Sequence, residues 1–201
     1  MSETAAVAEQ ELGPLMSAAL AYQRFADRVS EFFGYIAQFF VLLTIVVGLI
    51  NTVLRYVGAT TGNKLTSNVV IEAQWYLYSM IFLLGFGYVL KNGINVRVDF
   101  WFAHQPKRTK AWIDLIGHSI SLIPFCALGL WISWQGVSFS WSILEQSPDA
   151  DGLPRYPIKT MILVGMIILS IQAVAEVIKT IAVLRGIDIE LAEADAPIRV
   201  E

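Results

Sequence analysis

Four stretches of this chain run without a charged residue for long enough to decide what it can fold into. They cover residues 32–54, 73–90, 115–144 and 160–175, and aliphatic and aromatic side chains dominate each of them. A helix that crosses the hydrocarbon core of a bilayer needs about 20 mainly apolar residues. Because backbone groups in hydrocarbon must be hydrogen-bonded within the protein, the pattern predicts four transmembrane helices.

The composition is that of a membrane protein and excludes several soluble classes. Charged residues make up 15% of the 201 residues, against about 25% in soluble domains. A formal net charge of −3 gives no basic surface for nucleic acid. The single cysteine, Cys126, excludes an intramolecular disulfide. We therefore predict an all-α integral membrane protein with lipids, and not nucleic acid, around it.

The predicted organisation has three parts. They are a cytoplasmic N-terminal segment over 1–31, a four-helix transmembrane domain over 32–184 and an acidic cytoplasmic tail over 185–201. The helices are predicted at about 32–56, 69–91, 112–144 and 158–184. The third is over-long, because its 30 uncharged residues make about 45 Å of helix against a hydrocarbon core of about 30 Å. Pro124 offers this helix a site for a kink.

The distribution of Lys and Arg predicts the orientation. With both termini on the same side, that side carries ten of these residues and the other side carries four. Cytoplasmic segments carry the excess, so we expect both termini and the loop between the second and third helices in the cytoplasm. In that loop Gly93 suits the left-handed conformation that ends a helix. Asp99 can cap a short interfacial helix, and Arg97 can pair with an anion or a lipid phosphate.

Residues that could carry chemistry are few, and no cofactor or metal site is expected. A haem anchor needs two histidines that face each other in the bilayer, and of His104 and His118 only His118 is placed for that. Ionisable residues lie towards the ends of the spans: Glu72 opens the second helix, and Lys159 and Lys179 can extend to water. No span is interrupted as in a solute-coordinating helix, so transport by this chain alone is not expected.

Three tryptophans share one face of the predicted third helix, namely Trp131, Trp134 and Trp141. Such a stripe can be an aromatic belt at the membrane interface or a docking face for another membrane subunit, and both interpretations stay open. Two other kinds of protein also stay open. One is a haem- or quinone-binding anchor of a respiratory enzyme, and the other is a free-standing four-helix structural protein.

Several motifs resemble those of a known family. They are the "RY" pair at Arg55, "EAQW" from Glu72 to Trp75, "FGYVLKNGINVRVDF" from Phe86 to Phe100, which contains Asp99, and an "E…S…LP" pattern from Glu145 to Pro154. Over residues 33–184 the chain resembles the small membrane subunit of tripartite ATP-independent periplasmic (TRAP) transporters, the DctQ-like family. Asn95 stands where that family usually has histidine.

The resemblance implies a partner system. A large membrane subunit carries the substrate and sodium sites and moves as an elevator, and a soluble periplasmic receptor delivers the solute, typically an organic acid. The small subunit is implied to be a non-catalytic scaffold in the bacterial inner membrane that packs on the large subunit and helps the receptor to dock. The residues that match the family motifs are Arg55, Glu72, Trp75, Gly93, Arg97, Asp99, Glu145 and Pro154.

Overall fold

Four long helices make up the described part of the chain. The structure is a computed structural model that describes residues 14–94, 102 and 104–186. Over these residues the helices are α1 Pro14–Thr61, α2 Asn68–Lys91, α3 Lys107–Ser142 and α4 Arg155–Leu184. Each is long and apolar enough to cross a membrane, which confirms the prediction of four helices of this kind. The predicted interfacial helix around Asp99 lies outside the described residues.

The first helix is much longer than a bilayer core is thick. Its 48 residues make about 72 Å of helix at about 1.5 Å per residue, more than twice the roughly 30 Å of hydrocarbon. Residues 14–31 therefore form a helical extension ahead of the apolar run. In this extension Met16 and Leu20 pack against Ala182 of α4, so the extra turns lengthen the contact between the first and last helices.

The third helix changes its hydrogen-bonding pattern near its proline. It is α-helical over Lys107–Gly117, π-helical over His118–Leu122 and α-helical again over Ile123–Ser142. A proline ring strikes the carbonyl four residues earlier, and for Pro124 that carbonyl belongs to Ile120, within the π segment. The wider π turn is thus where the helix accommodates Pro124, the residue that the sequence marked as a kink site.

The last helix is the central element of the bundle. α4 packs against α1, α2 and α3, and 44% of its most apolar window is buried, against 6% for α3. Its small side chains permit this, since Ala173, Ala175 and Ala182 are fully buried. α3 is held almost entirely by α4, so most of the α3 surface faces away from the rest of the chain.

Two glycines of α2 lie in contrasting surroundings. A Cβ atom added to Gly87 would lie 2.7 Å from both the Ile168 Cγ2 and the Ser30 Oγ atoms, so three helices meet at this position. A Cβ atom added to Gly85 would meet nothing within 4 Å. Of these two glycines, only Gly87 is therefore needed for close helix approach.

We predict that Gly87→Ala lowers the melting temperature of the purified chain, while Gly85→Ala leaves it unchanged or raises it. Overpacking a tight contact costs about 1–3 kcal/mol, whereas alanine at an open helical position gains up to about 1 kcal/mol over glycine. Thermal unfolding in detergent, followed by circular dichroism, measures both. Equal melting temperatures for the two variants would contradict the packing described for Gly87.

Candidate functional site

A buried polar cluster joins α1 to α4. We call it the α1–α4 cluster, and its residues are Gln23, Asp27, Ser30, Gln172, Glu176 and Lys179. The Lys179 Nζ atom lies 3.0 Å from Asp27 Oδ1 and 2.9 Å from Glu176 Oε1. The Gln172 amide donates to Asp27 at 2.9 Å and to Glu176 at 2.8 Å, and it accepts from the Ser30 hydroxyl at 2.7 Å. One ammonium and one amide thus hold two carboxylates together.

Burial explains why this network is closed. Ser30 and Gln172 are fully buried and Lys179 is nearly so, and a buried charge is tolerated only when it is paired and hydrogen-bonded. Lys179 therefore does not extend to water as the sequence suggested. Its ammonium donates instead to Asp27 on α1 and to Glu176 on α4. The cluster has a structural role, because its members are already hydrogen-bonded or ion-paired to one another.

A second polar cluster lies at the opposite end of the bundle, around Glu72. This carboxylate is 2% exposed. It accepts hydrogen bonds from the Ser147 hydroxyl and from the backbone N–H of Leu153. Both partners belong to the loop at 143–154 that joins α3 to α4. Glu72 lies in the first turns of α2, so the start of α2 fixes a loop that is 75 or more residues away in sequence.

Other groups near the start of α2 fix the same loop. The Tyr76 hydroxyl donates to the carbonyl oxygens of Leu153 and Pro154, at 3.2 and 2.9 Å, and the Asn68 amide donates to the carbonyl oxygen of Ala150 at 2.8 Å. A Cβ atom on Gly152 would meet both Ser147 and Glu72. The carboxylate can approach the loop this closely because glycine occupies that position.

Glu145 secures the loop from its other side. The Lys159 ammonium and the Ser140 hydroxyl donate to its carboxylate, and they hold the pKa of Glu145 below its usual value. The backbone N–H of Arg155 donates to the Glu145 carbonyl oxygen at 2.8 Å. The contribution of the Glu145 carboxylate to stability is therefore complete above the usual glutamate pKa and is lost as the pH falls through the lowered value.

A shallow basin of about 380 Å³ lies at this same end, between the end of α1 and the loop before α2. Arg55 and Lys64 line it, together with Gly58 and Asn63. Arg55 is exposed. The end of the bundle that holds the α3–α4 loop thus also presents two cations on a concave surface.

The tryptophans of α3 fall into two kinds. Trp131 and Trp134 are 66% and 63% exposed. Trp141 is bound within the chain, since its Nε1 atom donates to Thr160 at 2.8 Å and its ring packs edge-on against Tyr156. Trp141 lies beside the polar loop, and at about 1.5 Å per residue Trp134 and Trp131 lie about 10 and 15 Å further along the helix. Trp131 and Trp134 therefore lie about two to three helical turns further from the polar loop than Trp141.

A polar side chain accompanies Trp131 and Trp134. Gln135 is exposed next to Trp134, within an apolar span. An amide that faces lipid lacks hydrogen-bond partners, whereas polar side chains commonly join helices of different membrane subunits. The exposed surface formed by Trp131, Trp134 and Gln135 is called the α3 face below.

The remaining residues of the family motifs lie at element ends. Trp75 of α2 packs against Tyr76, and the Arg155 guanidinium lies 5.6 Å from the Trp75 ring centroid. Pro154 directly precedes α4. Gly93 follows α2 with a φ of 61° and donates to Leu90 at 3.2 Å. Arg97 and Asp99 lie outside the described residues.

The structure unites residues whose association the sequence did not indicate. Asp27 and Lys179 pair across 152 positions, although each by itself fits a membrane interface. The one local signal was Gln172, a polar residue inside the charge-free run 160–175. Among the residues that the structure describes, no group of three or more His, Cys, Asp or Glu side chains is arranged to hold a metal ion.

Comparison with known proteins identifies a family. A family model described as "Tripartite ATP-independent periplasmic transporters, DctQ component" matches residues 43–183. No curated protein and no solved structure matches the chain. The matched range contains the Glu72 cluster, the α3–α4 loop and the α3 face, and it does not favour a haem or quinone anchor.

We predict that Glu72→Ala releases the α3–α4 loop. Loss of a hydrogen bond to a charged group costs about 1.5–3 kcal/mol, which corresponds to at least about tenfold faster exchange of the loop amides. Hydrogen–deuterium exchange of peptides covering 145–154 measures this. Glu72→Gln, which keeps one acceptor, should give an intermediate rate. Asp151→Asn, which removes an exposed charge from the same loop, should match the wild type. An unchanged exchange rate in Glu72→Ala would contradict the role of Glu72 in fixing the loop.

Proposed function

The chain belongs to the family of DctQ components of TRAP transporters, and we propose that it is a non-catalytic scaffold within the three-part system. Members of this family are small subunits of the inner membrane, and the four apolar helices fit that location. We propose that the chain packs on the large membrane subunit and supports docking of the periplasmic receptor during sodium-driven uptake of an organic acid or a similar small solute. The family match over residues 43–183 carries this proposal.

The internal use of polar groups supports a scaffold role. In the described residues, Lys179 pairs with both Asp27 and Glu176. Glu72 binds the α3–α4 loop, and Glu145 binds Lys159. A transport site must replace the hydration of its solute with groups that are available to it. These groups hold helices and a loop in place instead. Transport is therefore assigned to the partner subunit.

The α3 face is the proposed contact with the large subunit. The apolar window of α3 is the least buried of the four, and the exposed surface of α3 carries Trp131, Trp134 and Gln135. Buried aromatic residues often dominate the energy of protein contacts. An interhelical hydrogen bond from Gln135 would add specificity.

The receptor is proposed to dock at the end that carries the α3–α4 loop. The ten-to-four distribution of Lys and Arg favours the opposite end as cytoplasmic, so this end faces the periplasm in the proposed orientation. A fixed loop and the basin with Arg55 and Lys64 form a preorganised surface there. Preorganisation lowers the entropy cost of docking.

Single cysteines test the orientation. In a Cys126→Ser background, Ala150→Cys should react with a membrane-impermeant thiol reagent in intact cells, and Asn95→Cys should react only after lysis. Ala150 is exposed in the α3–α4 loop, so its lack of reaction cannot be ascribed to burial in this chain. Reaction of Asn95→Cys alone in intact cells would reverse the orientation.

Reconstitution tests the functional role. We expect liposomes that contain the large subunit and this chain, with receptor and sodium outside, to take up solute. Liposomes that contain only this chain should take up none, and those with the large subunit alone should show little uptake. Uptake by this chain alone would contradict the scaffold proposal. Full uptake by the large subunit alone would show that this chain is not required for transport.

The α3 face is tested in the same preparation. Trp131→Ala combined with Trp134→Ala should reduce co-purification of the large subunit several-fold and reduce uptake in parallel, since truncation of a central aromatic residue costs about 2 kcal/mol or more. Trp112→Ala is the matched control, because Trp112 is an exposed tryptophan near the other end of α3. An equal effect of Trp112→Ala would place the contact elsewhere.

A further inference from the structure

A groove runs between α2 and α4 on the outer surface of the bundle. It has a volume of about 310 Å³. Tyr78 and Phe82 of α2 form one wall, and Ile158 and Ile162 of α4 form the other. In each helix these residues are four apart, so each pair forms a ridge along the helix. Both helices begin at the end with the α3–α4 loop, so the two ridges run in the same direction, away from that end.

The floor of the groove is closed by direct helix contact. A Cβ atom added to Gly165 of α4 would lie 2.9 Å from the backbone carbonyl oxygen of Leu83 in α2. The two helices are therefore too close for a third helix, about 10 Å wide, to enter between them. The groove has the dimensions of a flexible alkyl chain and not of a helix.

One end of the groove carries the positive charges of Arg155 and Lys159. The Lys159 ammonium is already bound to Glu145. Arg155 lies over the Trp75 ring, and its buried Nε atom has no hydrogen-bond partner in the described part of the chain. A buried donor without an acceptor is costly, so Arg155 is the group from which a ligand would gain most.

The carboxylates near Arg155 are occupied by other donors. Glu72 is bound to Ser147 and to the Leu153 N–H, and Glu145 is bound to Lys159 and Ser140. They lower the local positive potential without satisfying the Arg155 Nε atom. An acceptor that approaches from the groove can bind the Arg155 guanidinium, and an anionic acceptor gains from its charge as well. A phosphate diester is such an acceptor, because its oxygens match the planar donors of arginine.

We propose that this groove binds one phospholipid molecule. Its phosphate accepts a hydrogen bond from Arg155, and one acyl chain lies between the Tyr78–Phe82 ridge and the Ile158–Ile162 ridge. The site belongs to the chain itself and is independent of the proposed scaffold role. A lipid bound there would connect the first turns of α2 to the first turns of α4, beside the loop that Glu72 holds.

Native mass spectrometry of the purified full-length chain in detergent tests the proposal, with phosphatidylglycerol or phosphatidylcholine titrated in. We expect one tightly bound phospholipid, and no competition from millimolar inorganic phosphate, which lacks the acyl chain. Arg155→Gln should raise the dissociation constant at least about tenfold, as for the loss of a charge-assisted hydrogen bond. Ser79→Phe, which fills the groove and keeps every charge, should do the same.

Arg55→Gln is the matched control, because Arg55 is a cation at the same end of the bundle that does not line this groove. It should leave lipid binding unchanged. Circular dichroism verifies that each variant keeps its helices. If Arg155→Gln does not fold, lipid binding by Ser79→Phe tests the groove by itself. No bound lipid in the wild type, wild-type affinity in Ser79→Phe, or an equal loss in Arg55→Gln would each overturn the proposal.

Discussion

The Lys179 ammonium lies between a carboxylate of α1 and a carboxylate of α4, and the packing of the first and last helices depends on it. Without this cation, Asp27 and Glu176 would face each other in a site from which water is largely excluded. Removal of one partner from a buried ion pair costs about 3–5 kcal/mol, a large share of the stability of a typical domain. The contact of Met16 and Leu20 with Ala182 follows from the same alignment of α1 on α4.

The two ends of the bundle use polar groups differently. At the α1–α4 cluster, side chains bind side chains and lock two helices together. At the Glu72 end, side chains bind mostly the backbone of a loop, through the Leu153 N–H and the carbonyl oxygens of Ala150 and Pro154. The middle is held by small residues and apolar contacts. A rigid bundle with a shaped polar end and one largely uncovered helix suits a protein that positions others.

The sequence predicted the helices well because membrane insertion depends on local composition. A charge-free run of 16 to 30 residues identifies a candidate span independently of the sequence elsewhere in the chain. The partners of Glu72 were not predictable in this way, because Ser147 and Leu153 reach it only through the register of α2 against α4. The same holds for Asp27 and Lys179, whose pairing depends on two helices that are far apart in sequence. Gly93, which ends α2 with a positive φ, followed from a local rule, whereas Arg97 and Asp99 stay predictions.

The α1–α4 cluster also has a consequence for biosynthesis. Ribosomes deliver Gln23, Asp27 and Ser30 to the membrane about 140 residues before Gln172 and Lys179 exist. During that interval the α1 carboxylate has only local partners, such as the Gln23 amide at 2.7 Å, and its final cation is still unsynthesised. Closure of the cluster is therefore a post-insertion event that only a complete chain can perform. A nascent chain released before α4 is made would leave Asp27 without its ammonium partner.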